Sequence, residues 1–253
     1  MPFGQIEALS HQGVQIAYER IEGAAPTFVW LGGFKSDMAG TKAQTLADWA
    51  QKLGQGFVRF DYSGHGVSGG QFEDGSISRW LGDTLAVFDQ LTEGPLVLVG
   101  SSMGGWLSLL AARERPDRVA ALLLIAPAAD FTERLMWPGF TAEQQERLMS
   151  EGRLELPSAY SPEPTVITRE MIEDGRRNLV MEAPFPFDGI VRILAGGEDP
   201  DVPLDHVLAL LPVLNAQDVM LHRIPDGDHR LSRPQDLRQL VAIASELRLR
   251  LAR

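Results

Sequence analysis

In the stretch Gly100-Ser101-Ser102-Met103-Gly104, only Ser102 has glycine both two residues before it and two residues after it; Ser101 has Val99 and Met103 there. A serine on a tight strand-to-helix turn sits in strained backbone, and a side chain two residues away on either side would strike neighbouring chain. The pattern therefore predicts a nucleophile elbow at Ser102. A serine hydroxyl is a poor nucleophile at neutral pH and needs a base. Of the five histidines, His11 lies near the N-terminus, His65 in a glycine-rich loop, His206 in a helical pattern and His222 within the last strand pattern. His229, in "IPDGDHRLSRP", stands beyond that strand and before the last helix. An imidazole base in turn needs a carboxylate to fix its tautomer. "GGEDPDVP" supplies Asp199 and Asp201 just past a strand, and Asp130 is a third candidate. Asp199 is preferred because it follows the strand-Gly-Gly turn directly. Ser102, Asp199 and His229 then run in the chain order serine, acid, histidine.

Each residue has a plainer reading: a packed serine beginning a helix, a solvated turn aspartate, a structural loop histidine. Three partners at three strand ends outweigh those readings. Acyl transfer also needs donors for an oxyanion. The backbone N–H of Met103 is one candidate, and the N–H of Phe34, in "FVWLGGFKSDMAG", is the other.

These residues must be positioned by strands and helices. The run at 14–18 alternates by two and reads as a half-exposed early strand. Compact runs at 27–31, 57–60, 96–99, 121–125 and 191–194 read as strands, several nearly continuously apolar and suited to cover on both faces, and 218–224 reads as a last strand. Helical patterns lie near 40–53, 76–92, 102–114, 204–211 and 233–252. That alternation predicts an α/β fold, a mostly parallel central sheet flanked by helices, in one domain over residues 1–253. About 60 residues after Ile125 carry helices and prolines but no convincing strand, and predict a helical cap over about 128–188. In it Phe131, Leu135, Met136, Trp137 and Phe140 cluster at roughly helical spacing, and Trp106 lies just past the nucleophile. These six are pocket candidates, although such a stripe is more often core.

The chain has 253 residues, 44% of them hydrophobic, no cysteine and a formal net charge of −11. The charge disfavours nucleic acid and anionic membrane as partners. Without cysteine there is no disulfide, thiolate metal site or cysteine nucleophile. The longest apolar run, 119–129, is too short to span a bilayer. "GHGVSG" at 64–69 matches a dinucleotide-binding fingerprint, but no helix opens until about Ser76. No histidine–carboxylate spacing suits a metal, so no cofactor and no metal are expected.

"LGGFKSDM", "FDYSGHGVSGG", "VGSSMGGW", "GGEDPDVP" and "DGDHR" together resemble the α/β-hydrolase superfamily. "LGGFKSDMAGTKA" and "GPLVLVGSSMGGWL" are similar, more narrowly, to the palmitoyl-protein thioesterase and acyl-glucuronide esterase branch of the α/β-hydrolase domain-containing proteins. The resemblance implies Ser102 as nucleophile, Asp199 as acid and His229 as base. It also implies hydrolysis of an ester or thioester, with a small molecule or an acylated protein as partner. The superfamily often has histidine where Gly32 stands, which leaves backbone donors as the main feature there. The N-terminal residues show no basic start, apolar core or Arg-rich amphipathic stretch, so no leader and a cytoplasmic location are expected. A non-catalytic binding protein of the same fold, and a C–C bond hydrolase or perhydrolase using the same residues, are the competing functions. Oligomeric state, acyl chain and leaving group are not legible.

Overall fold

The computed structural model describes residues 5–157 and 164–252. Its centre is an eight-stranded sheet in the order β1-β2-β4-β3-β5-β6-β10-β12. The first hairpin joins β1 (Glu7–His11) to β2 (Val14–Ile21), which pairs antiparallel with β4 (Gln55–Phe60). From β4 onward the sheet is parallel: β3 (Ala24–Leu31), β5 (Leu96–Ser101), β6 (Val119–Ile125), β10 (Ile190–Gly196) and β12 (Asp218–Ile224).

Helices cover both faces. α1 (Thr41–Leu53) packs with the C-terminal helix on one face, through Leu46 and Trp49 against Phe28, Val97 and Leu123. α2 (Ile77–Leu91) and α3 (Met103–Glu114) cover the other, through Trp80, Phe88, Leu107 and Leu110 against Val29, Leu98 and Leu122. In β5 the two apolar sets alternate, Leu96 and Leu98 one way and Val97 and Val99 the other. That is why an inner parallel strand reads as a continuous apolar run rather than an alternating one.

The chain leaves the sheet after β6. A single π-type turn (Thr132–Met136) and α4 (Trp137–Gly139) lead to α5 (Ala142–Glu151), whose Thr141–Gln144 capping box is complete. Contrary to the expectation of a strand-free segment, β7 (Arg153–Leu156) and β8 (Thr165–Thr168) then form an antiparallel pair. Each is four residues long and only one residue of each is buried, so neither has the apolar density that marks a strand in sequence. α6 (Arg169–Arg177) and β9 (Phe185–Pro186) complete the excursion. Residues 158–163 of the expected cap lie outside the described residues. After β10 come α7 (Leu204–Leu210), β11 (Leu214–Asn215), which pairs with β9, then β12 and α8 (Pro234–Leu251), the partner of α1. No described helix is long and apolar enough to cross a membrane.

Candidate active site

Ser102 sits between β5 and α3 with φ 55° and ψ −118°, in the left-handed half of backbone space that serine rarely occupies. Its amide donates to Ile125 O (2.9 Å), and its carbonyl accepts from Gly105 and Ala128. A Cβ on Gly100 would collide with the Gly104 carbonyl, and one on Gly104 with the Leu31 carbonyl. Glycine at both places lets β3, β5 and α3 crowd together and hold the strained serine outward.

Asp199 follows β10 and His229 follows β12, so both reach the C-terminal edge of the sheet where Ser102 projects. His229 Nε2 lies 3.1 Å from Ser102 Oγ, and His229 Nδ1 lies 2.8 Å from Asp199 Oδ2. Asp199 is buried, and its other oxygen accepts the Asp201 and Val202 amides at 2.9 and 2.8 Å. An ionised carboxylate facing Nδ1 puts the ring proton there and leaves Nε2 a lone pair for the serine hydroxyl. Asp199, Asp201 and His229 also bring three ligand atoms within 4.8 Å of one another. Both Asp199 oxygens accept hydrogen bonds, one of them facing the imidazole.

Asp130 is engaged elsewhere. Its buried carboxylate accepts the Val180 and Met181 amides at 2.8 and 2.9 Å, tying the end of the excursion to the sheet. Burial raises its pKa above the usual aspartate value.

Ser102 and His229 open into a cavity of about 620 Å³. Phe34 and Met103 both line it, and neither amide donates to any group among the described residues. A Cβ on Gly33 would lie 3.3 Å from Ser102 Cβ, so this loop passes directly beside Ser102. Phe131, Leu135 and Met136 are cavity residues. Trp106, Trp137 and Phe140 are not among its lining. Trp106 is fully buried and donates to Asn178 O (3.1 Å), while Trp137 packs edge-on to Phe140 and under the Arg176 guanidinium.

Two lysines of the lining escape a reading by motif. Lys35 Nζ reaches Thr165 Oγ1 of β8 (3.2 Å), and Lys42 Nζ donates to the Arg230 carbonyl beside His229. Burial pushes the Lys42 pKa down to about 8. Two of the chain's three lysines thus line the cavity.

Residues 33–199 match the family model Hydrolase_4, described as serine aminopeptidase, S33. The chain is 35% identical over 233 residues to the mitochondrial palmitoyl-protein thioesterase ABHD10 of Mus musculus, covering 92% of this chain and 78% of that one. The solved alpha/beta hydrolase domain-containing protein 10 from mouse superposes with a TM-score of 0.90 at 32% identity, covering 98% and 100% of the two chains. A chain from Agrobacterium vitis S4, named no more closely than a hydrolase, gives a TM-score of 0.92 at 45% identity over 98% and 100%. The expected cytoplasmic location is overturned by these relatives: the thioesterases of Mus musculus, Rattus norvegicus, Pongo abelii, Bos taurus and Homo sapiens are all named as mitochondrial. Composition and the absence of a basic, apolar start carried no address of their own. The fold is that of an α/β hydrolase, and the chain, a hydrolase, belongs to the family of the serine aminopeptidase, S33, model.

Proposed function

We propose that this hydrolase cleaves carboxylic esters or thioesters through an acyl-enzyme formed on Ser102. The single observation that carries this reading is the unbroken line Ser102 Oγ, His229 Nε2, His229 Nδ1, Asp199 Oδ2, with steps of 3.1 and 2.8 Å. His229 takes the hydroxyl proton as Ser102 attacks the acyl carbon, and Asp199 stabilises the imidazolium. The two free amides, Phe34 and Met103, donate to the oxyanion. His229 then protonates the leaving oxygen or sulfur, and water delivered through the same imidazole releases the acid.

An acyl group that is apolar suits the cavity, since Phe34, Phe131, Leu135 and Met136 line it. The excursion at about 128–188, in its described residues, acts as a cap on this single domain. The thioesterase relatives are named for palmitoyl-protein, which favours an acyl thioester of a protein or small molecule as the substrate class.

The test is hydrolysis of p-nitrophenyl esters from acetyl to palmitoyl, plus a palmitoyl thioester, by wild type and Ser102→Ala. The variant should lose nearly all turnover, down to the residue left by binding and oxyanion donors, while keeping its unfolding midpoint. Turnover that survives in a folded Ser102→Ala sinks the acyl-enzyme. Tight binding of an apolar acid with no hydrolysis by wild type favours a binding protein instead.

A further inference from the structure

The glycine-rich loop after β4, whose spacing imitates a dinucleotide site, holds His65 in an arrangement that the reaction above leaves unused. His65 is 3% exposed and meets the rings of Tyr62, Phe72 and Trp80 edge-on at 5.1–5.5 Å between centroids. Its Nδ1 lies 3.2 Å from Ser63 O, and its Nε2 lies 3.2 Å from the Lys35 amide nitrogen. A carbonyl can only accept, so Nδ1 carries the proton, and Nε2 is then a bare acceptor for the Lys35 N–H. Burial holds the His65 pKa down to about 4, so this neutral tautomer persists at neutral pH.

Lys35 directly follows Phe34 and has φ 56°, a left-handed conformation that a lysine does not choose unaided. The turn is closed by Ser36, whose N–H and hydroxyl both donate to Gly33 O at 3.2 and 2.7 Å. Asp61 clamps the same two loops, accepting the Met38 amide (2.6 Å) with one oxygen and the Val67 amide (2.9 Å) with the other. A Cβ on Gly66 would run into that carboxylate. Gly66, the middle glycine of the fingerprint, therefore makes room for a clamp on the 33–38 loop.

Fixing the direction of the Lys35 N–H fixes the rotation of the Phe34–Lys35 peptide, and with it the freedom of the preceding amide to turn. We propose that His65 is the positioning residue of the oxyanion hole, holding the Phe34 N–H toward the reacting carbonyl by accepting the Lys35 N–H. This rests on the serine-hydrolase reading given above, and the experiment separates the two.

Asparagine can place an amide donor near the Nδ1 position, whereas glutamine can place an acceptor near the Nε2 position. His65→Asn therefore keeps the Ser63 contact and loses the Lys35 contact, and His65→Gln does the reverse. Both are assayed for kcat and KM on a p-nitrophenyl ester and on its thiono analogue, whose sulfur is a poor acceptor for an oxyanion hole. Outright loss of an oxyanion donor costs about 10²–10³ in kcat, so a donor left to wander should cost about tenfold or more. His65→Asn should show that loss with KM within about twofold, and its oxo-to-thiono rate ratio should shrink by the same factor. His65→Gln should stay within about threefold of wild type on both counts. Wild-type rates in His65→Asn, a loss equal on oxo and thiono esters, or a His65→Gln poorer than His65→Asn would each overturn the proposal. If His65→Asn does not fold, His65→Met, which offers only a thioether at that position, is read against the same outcomes. A folded Ser102→Ala that still turns over brings down both readings, whereas a dead Ser102→Ala beside an indifferent His65→Asn brings down only this one.

Discussion

Asp199 makes three hydrogen bonds with two oxygens, and that division predicts how it fails. One oxygen holds the Asp201 and Val202 amides and the other holds His229 Nδ1. In Asp199→Asn the remaining oxygen serves the two amides, so the NH₂ faces Nδ1. The imidazole then protonates on Nε2 and cannot accept from Ser102. Under the proposed reaction, kcat on a p-nitrophenyl ester should fall by about 10⁴, with little change in stability. A loss below about tenfold would mean that another group orients His229. At this scale the sequence exposes residues with strong local demands. Ser102 is visible because the residues two before and two after it must be glycine, and Asp199 because it comes just past a strand and two glycines. His65 and Lys42 are not, since their partners lie 30 and 188 residues away across loops whose path no local pattern encodes. Phe131, Leu135 and Met136 cannot be told from Trp137 and Phe140 by apolarity alone, because the same stripe supplies cavity and core.

The elements that carry these residues are legible in proportion to how far they are buried. Apart from β2, which alternates, every inner strand contains a compact, mostly apolar run, and α1, α2, α3, α7 and α8 match their helical patterns to within two residues at either end. β1, β7, β8, β9 and β11 escape because they are short, polar on one side or at an edge, so little apolar surface records them. The excursion after β6 is held to the sheet by polar anchors as well as by packing. Asp130 accepts two amides, and Asp174 of α6 accepts the Ser78 amide and hydroxyl of α2, both at 2.7 Å. Removing a buried acceptor leaves its donors unsatisfied at about 1–3 kcal/mol each, partly offset here because burial already disfavours the Asp130 anion. Asp130→Ala should therefore lower the unfolding free energy in urea by about 2 kcal/mol. It should also weaken kcat/KM for long acyl esters more than for acetyl, because Phe131 beside it lines the cavity. An unchanged urea midpoint would show that packing alone fixes this segment.

At the scale of the whole molecule, acid acts through opposing terms. With a net charge of −11 and a pI near 4.9, the chain loses self-repulsion as pH falls, which favours the compact state. Buried Asp61, Asp83 and Asp130 have raised pKa values, so the folded state takes up their protons before the unfolded state does, and stability rises as they titrate. The histidines, buried His65 and half-buried His206 and His222, work against this. His65, His206 and His222 all have lowered pKa values, with desolvation the leading cause, so as pH drops through 6.5 the unfolded chain binds those protons first and stability is lost. For His65 the window runs from 6.5 down to about 4. At about 1.4 kcal/mol per pH unit its full effect is about 3 kcal/mol, of which about 1.4 kcal/mol has gone by pH 5.5. The total curve mixes all these groups, but the difference between wild type and His65→Gln isolates one. Urea unfolding at pH 7.5 and 5.5 should show wild type losing about 1.4 kcal/mol more than His65→Gln over that interval. Equal losses would mean that the His65 ring is not held neutral, and that the Lys35 amide lacks the acceptor on which the proposed oxyanion loop depends.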